Sequence, residues 1–337
     1  MGLPLLTAAS LLLLPLAAPG APPPPPPEVN SSQTEHFVMA KILGGVDAKN
    51  KEFPYLLSLE VWGHHLCGAT AVSAWWAVTA AHCVAEVESE DVLGLRAGSV
   101  RREVGGHVHC VVRVLRHPRY GDYWYDHDIA LLQVSRQFSP RLVSFLRVSE
   151  QQDWPPGTAA TVVGWGVTRL LLRAQDSADI SFSDRLRKVE VRVIGNEVCR
   201  KKPVFFTIYP VTSRMLCAIS PGKDSTQGDS GGPLVVQGDN GTSLVGVVSW
   251  GEGRGDPDSP GVYTRVAAFA KWIHAHSKRR RVSRGADVLR LSRCGVSAGL
   301  TGDHATHQVR VVPTARRRQQ GRRRARRRPG TPGSRRG

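Results

Sequence analysis

The stretch "RKVEVRVI", residues 187–194, sets Val189, Val191 and Val193 on one side of an extended chain and Glu190 and Arg192 on the other. Successive side chains of a strand point to opposite faces, so this alternation predicts a strand with one buried face. Working outward, short apolar or alternating runs recur between turn residues. They include "TAVSAWWAVTAA" at 70–81, "HVHCVVRVL" at 107–115, "DIALLQV" at 128–134, "TAATVVGWG" at 158–166, "SLVGVVSWG" at 243–251 and "GVYTRV" at 261–266. Many short strands at turn-punctuated intervals predict an all-β sandwich or barrel. One stretch, "VAAFAKWIHAH" at 266–276, reads as a helix.

The ends of the chain have a different texture. Residues 1–21 carry a short apolar run closing in small residues, which predicts a secretory signal peptide rather than a membrane span. Six prolines come next at 22–27, an extended segment unsuited to a core. From Lys278 to Gly337 nineteen Lys and Arg stand against Asp287 and Asp303. The rest of the chain is electrically balanced, so this tail carries the whole +17 excess. Its low-complexity, arginine-rich composition predicts disorder and affinity for heparin-like polyanions. Asn30 in "NSS" and Asn240 in "NGT" are glycosylation acceptor patterns. Six cysteines, Cys67, Cys83, Cys110, Cys199, Cys217 and Cys294, predict disulfides in a secreted chain.

The chemistry concentrates in "KDSTQGDSGGPL", residues 223–234. A serine hydroxyl becomes a useful nucleophile only with a base in hydrogen-bond reach and a third group orienting that base. It also needs donors aimed at the oxygen that turns negative. Glycines around Ser230 let the backbone turn sharply, so that the N–H groups of Gly228 and Ser230 can converge. A plain glycine turn carrying a solvent-facing serine would look the same. "TAAHC" sets His82 after a small-residue apolar run, and "HDIALL" sets Asp128 before an apolar strand, where a buried carboxylate needs a partner.

With "ILGG" at 42–45, "TAAHC" at 79–83, "HDIALL" at 127–132, "GWG" at 164–166, "KDSTQGDSGGP" at 223–233, "SWG" at 249–251 and "PGVYTRV" at 260–266, the chain resembles a trypsin-like serine peptidase of the chymotrypsin family. The resemblance runs from residue 42 to about 277. It implies two six-stranded antiparallel β-barrels and a C-terminal helix, with a Ser230–His82–Asp128 triad between the barrels and an oxyanion hole from Gly228 and Ser230. It implies that Asp224 floors a pocket for Lys or Arg, that Gly251 and Gly261 are its open walls, and that Ser249 lies at its back and binds substrate backbone. It implies activation by cleavage between Lys41 and Ile42, after which the Ile42 amine pairs with Asp229. On this reading residues 22–41 are a propeptide, 42–277 the peptidase domain and 278–337 the basic tail. Protein substrates and protease inhibitors are the implied partners, with no cofactor and no metal.

The disulfides Cys67–Cys83 and Cys199–Cys217 are also implied by the resemblance. A third bridge usual in the family is absent, since Thr226 and Arg254 occupy its positions. Glu103 is the lone acid where some relatives bind calcium, so no calcium is expected there. Cys110 and Cys294 match no expected bridge: they could pair with each other, stay free or bridge chains. Residues 167–186 read as a long loop open to cleavage at Arg169, Arg173 and Arg185. An α/β-hydrolase reading fails because that fold needs its histidine after the serine. A protease-shaped binding protein that docks polyanions through its tail is the competing reading, and the three triad residues argue against it.

Overall fold

A computed structural model describes residues 38–40, 45–122, 124–172, 178–202, 210–219, 229–251 and 259–278. The described residues all belong to one unit of the chain. The expected signal peptide, Asn30, Lys41, Ile42, Asp224, Thr226, Gly228, Arg254 and Cys294 lie outside the described residues. Among those described, no helix is long and apolar enough to cross a membrane.

The first barrel is closed by β3 (Leu56–Val61), β4 (His64–Ala71), β5 (Trp76–Thr79), β6 (Leu93–Ala97), β7 (His107–Arg116) and β8 (Ala130–Val134), in the order β3-β4-β5-β8-β7-β6. Its interior takes side chains from facing strands. Leu57 and Leu59 of β3 meet Leu93 and Leu95 of β6, with Trp76, Leu131 and Leu132 beside them, all buried. Strands β5 and β8 are buried along their whole length, which explains their unbroken apolar reading.

The second barrel comprises β10 (Ala159–Gly164), β13 (Arg187–Ile194), β14 (Met215–Ile219), β15 (Pro233–Gly238), β16 (Gly241–Trp250) and β17 (Gly261–Arg265), with β10 also pairing with β13. In β13 Val189, Val191 and Val193 are buried while Glu190 and Arg192 are exposed, as the alternation requires. Strand β2 (Val46–Asp47) pairs with β13, and β9 (Arg147–Val148) with β16. Cys199 on helix α1 (Asn196–Arg200) is bonded to Cys217 on β14. The predicted helix begins as a 3-10 turn at Val266–Phe269 and continues as α2 (Ala270–Ser277), which buries Ala270 and Ile273.

The stretch that reads as a long loop is instead a hairpin. Strand β11 (Val167–Leu172) pairs antiparallel with β12 (Ala178–Phe182), and β1 (Val38–Ala40) adds to the outer edge of β11. Apolar "VTRLLL" and "ADISF" satisfy each other's backbone groups in a ladder, a signal that attention to the arginines hides. Arg169 lies within that ladder, opposite Ala40 and Ser181.

Candidate active site

Strand register brings His82 and Asp128 together. Thr79, the last residue of β5, lies opposite Ala130, the first of β8. The chain leaves β5 into a 3-10 turn that starts at His82, and Asp128 comes two residues before β8, so both sit at the same end of the barrel. His82 Nδ1 lies 2.8 Å from Asp128 Oδ2, and the His82 backbone N–H donates to Asp128 Oδ1 at 2.8 Å. A carboxylate oxygen can only accept, so this contact fixes the proton on Nδ1 and leaves Nε2 as the ring's acceptor. The Asp128 carboxylate is fully buried. Ser249 Oγ, near the end of β16, donates to its Oδ2 at 2.6 Å, and Thr264 Oγ1 donates to its backbone carbonyl at 2.7 Å. Three donors therefore compensate a charge that burial would otherwise penalise.

Ser230 arrives from the other barrel. It stands three residues before β15. Its carbonyl accepts a 2.8 Å hydrogen bond from the Gly68 N–H on β4, and the Gly68 carbonyl accepts one from Thr79 Oγ1, also at 2.8 Å. The serine turn is thus stitched through two bonds to the strand that delivers His82. Gly231 N–H donates to the Val248 carbonyl and Val248 N–H to the Gly232 carbonyl, which continues the β15–β16 ladder into the turn. Gly231 has φ +76°, and a Cβ there would lie 2.2 Å from Thr79 Oγ1 and 2.5 Å from the Gly68 carbonyl oxygen. Only glycine allows this approach.

Asp229 is fully buried, and its Oδ1 accepts from the Gly166 N–H at 2.8 Å. A Cβ on Gly164 would fall 2.1 Å from that oxygen, so the first glycine of "GWG" makes room for the carboxylate. Gly251 and Gly261 face each other beside the paired ends of β16 and β17. A Cβ on Gly251 would sit 3.4 Å from Gly261 Cα. Cys67 and Cys83 are bonded and tie β4 to the His82 turn. Cys83 Sγ lies 3.8 Å from His82 Nε2, but sulfurs bonded to each other are not thiolate ligands for a metal. Glu103 accepts from the His65 N–H and from Arg102, both within 2.9 Å. Asn240 is exposed in the turn between β15 and β16.

Several residues of the site carry no signal of their role in the sequence. The ring of Tyr125 meets His82 edge-on at 5.9 Å and lies stacked towards Trp250 at 6.4 Å, forming an aromatic wall beside the imidazole. Asp126 is buried and takes hydrogen bonds of 3.0 Å from Arg214 Nε and Thr212 Oγ1. Burial pushes its carboxyl up, yet Arg214 and Thr212 outweigh that and hold it below the usual range. His127 is buried with φ +58° and stacks on His117 at 4.9 Å. Burial, with the charges of His127 and Arg119 adding to it, pushes His117 down to about 4. "GDYWYDHD" at 121–128 holds the aromatic and acidic residues, but only the fold gives them their partners.

A family model described as Trypsin matches residues 42–273. Trypsin epsilon of Drosophila erecta is 38% identical over 235 residues, covering 69% of this chain and 86% of the relative. A trypsin of Phaedon cochleariae is 35% identical over 247 residues, covering 71% and 89%. The suppressor of tumorigenicity 14 protein homolog of Bos taurus is 37% identical over 251 residues, or 70% of this chain, but the match spans 28% of that longer protein.

Proposed function

Because the chain belongs to the trypsin family of serine peptidases, we propose that it is a secreted endopeptidase, made as a zymogen, that cuts peptide bonds after Lys or Arg. The observation that carries this reading is the buried Asp128 holding His82 through two hydrogen bonds, with the Ser230 turn stitched to the same barrel end. Ser230 Oγ attacks the scissile carbonyl carbon while His82 Nε2 takes its proton. The tetrahedral oxyanion accepts hydrogen bonds from the Gly228 and Ser230 N–H groups. Such a donor contributes ~3–4 kcal/mol of barrier lowering. His82 then returns the proton to the departing amine, leaving an acyl ester on Ser230. Water deprotonated by His82 hydrolyses the ester. Asp128 stays ionised throughout and stabilises the imidazolium.

Asp224 supplies the negative floor for a Lys or Arg side chain, and Gly251 and Gly261 leave the walls open to it. Tyr125 and Trp250 offer apolar contact to substrate residues before the cut. Cleavage after Lys41 frees the Ile42 amine to pair with the carboxylate of the buried Asp229, beside the nucleophile.

Protein cut between Lys41 and Ile42 is assayed on Arg, Lys and Phe ester substrates. Fast turnover of the first two and little of the third is expected. Preferred cleavage of the Phe ester would overturn the assignment of Asp224 while leaving the triad standing. Asp229→Asn should be cut normally yet stay nearly inactive, and full activity in that variant would remove the proposed switch.

A further inference from the structure

The first barrel holds a bonded cysteine that the peptidase reading does not use. Cys110 lies on β7 opposite Gly94 of β6, and its carbonyl accepts from the Ser135 N–H at 2.9 Å. It is disulfide-bonded, and its partner lies outside the described residues. The chain has six cysteines, and four are joined as Cys67–Cys83 and Cys199–Cys217, so Cys294 is the one left over.

A groove of about 420 Å³ opens beside Cys110. That volume is ample for peptide side chains. Ala97, Leu142 and Val143 give it apolar surface, and His107, His109 and Arg136 give it a polar edge. His109 is held in place: its Nδ1 donates to the Arg136 carbonyl at 3.1 Å and its ring meets Phe138 edge-on at 4.8 Å. One side of the groove's polar edge is therefore fixed by the fold. Around Cys294 the sequence reads "VLRLSRCGV", residues 288–296, with Val288, Leu289, Leu291 and Val296 as apolar side chains and one acid, Asp287, just before.

The described chain ends close to this barrel. Helix α2 sets Trp272 against His117, 5.1 Å between rings, and His117 directly follows β7. The sixteen residue steps from Lys278 to Cys294 can span roughly 50 Å when extended, so reach is no obstacle.

We infer that Cys110 is bonded to Cys294 and that the groove beside it seats residues 288–296 of this same chain. The consequence concerns the basic tail. "KRRRVSR" at 278–284 lies between α2 and Cys294 in the sequence and holds five Lys and Arg residues that a trypsin-like enzyme recognises. With the bond in place, a cut there does not release the residues C-terminal to it. The arginine-rich segment stays covalently attached to the catalytic body as a second chain.

The test uses full-length Ser230→Ala protein, alkylated without reduction and digested with added trypsin, so it does not depend on the chain's own activity. The expected result is one species joining "EVGGHVHCVVR" (103–113) to "CGVSAGLTGDHATHQVR" (294–310), which reductant splits. Limited digestion at 278–284 should leave the tail on the body until reductant is added. Alkylated Cys294, or a disulfide dimer of the whole chain, would overturn the pairing. Seating in the groove is read by hydrogen exchange at residues 107–110 and 135–143. Protection should fall in the full-length Cys294→Ser variant, and unchanged exchange there would overturn the docking.

Discussion

Replacing Gly231 by alanine tests how closely the serine turn is held against the histidine strand. The new Cβ meets Thr79 Oγ1 at 2.2 Å and the Gly68 carbonyl oxygen at 2.5 Å. Neither neighbour can give way freely. Thr79 is fully buried with its hydroxyl committed to Gly68, and Gly68 offers backbone. Reaching ordinary contact at 3.4 Å from 2.2 Å requires the turn to retreat by roughly 1.2 Å. A residue with a Cβ at φ +76° costs ~1–2 kcal/mol in backbone strain. Crowding a packed site adds ~1–3 kcal/mol. The sum, ~2–5 kcal/mol, should lower the Tm of a domain this size by roughly 4–20 °C. The retreat shifts the Ser230 turn off Gly68 and Thr79, and on the proposed chemistry a misplacement of about 1 Å can cost ~100-fold in rate. Thermal unfolding and kcat on an Arg ester measure both effects. Adding Thr79→Ala should recover only part of the loss, because the Gly68 carbonyl still clashes. A Gly231→Ala enzyme with unchanged kcat and Tm would refute the stitch between the barrels.

The same geometry sets three further outcomes. Ser249→Ala removes one of three donors to the buried Asp128 carboxylate and should cost ~1.5–3 kcal/mol of stability at neutral pH, as read by denaturant unfolding. Glu60 is buried against Arg96 Nε at 2.6 Å, so Glu60→Ala should cost ~3–5 kcal/mol by stranding the guanidinium, while replacing both by apolar residues of similar size should cost far less. His117 has its folded pKa depressed from 6.5 to about 4 by burial, so between those values the unfolded chain binds the extra proton. The stability it contributes is fully present above about 6.5 and is lost as pH falls towards 4, and His117→Phe should flatten unfolding free energy across that window.

The barrels are legible because strand alternation is local: "VEVRVI" carries its buried face in its own spelling. The roles proposed for His82, Asp128 and Ser230 come from the resemblance, since 46 residues separate the first two and no periodicity links them. The features hidden from the sequence depend on long-range register. Ser249 reads as a substrate contact, but its hydroxyl also braces Asp128 across 121 residues of sequence. Gly68 and Thr79 look like ordinary strand residues until Ser230 is laid against them. The Asp126–Arg214 pair is equally silent, because each residue alone reads as a solvated charge. The β11–β12 hairpin is masked by the arginines in and around it, which suggest a loop, although backbone pairing is indifferent to which side chains the strands carry.

Everything in the proposed chemistry turns on Ser230 being a nucleophile activated by His82. A fluorophosphonate reacts only with a serine that is deprotonated as it attacks, so it reports that property without assuming a substrate. Protein cut after Lys41 is treated with the probe, digested and mapped by mass spectrometry, beside His82→Ala and Ser230→Ala. The predicted result is a single phosphonyl adduct on Ser230 that is lost in both variants and whose formation tracks the loss of ester hydrolysis. An unlabelled Ser230 in protein that still hydrolyses esters, or equal labelling after His82→Ala, would contradict it.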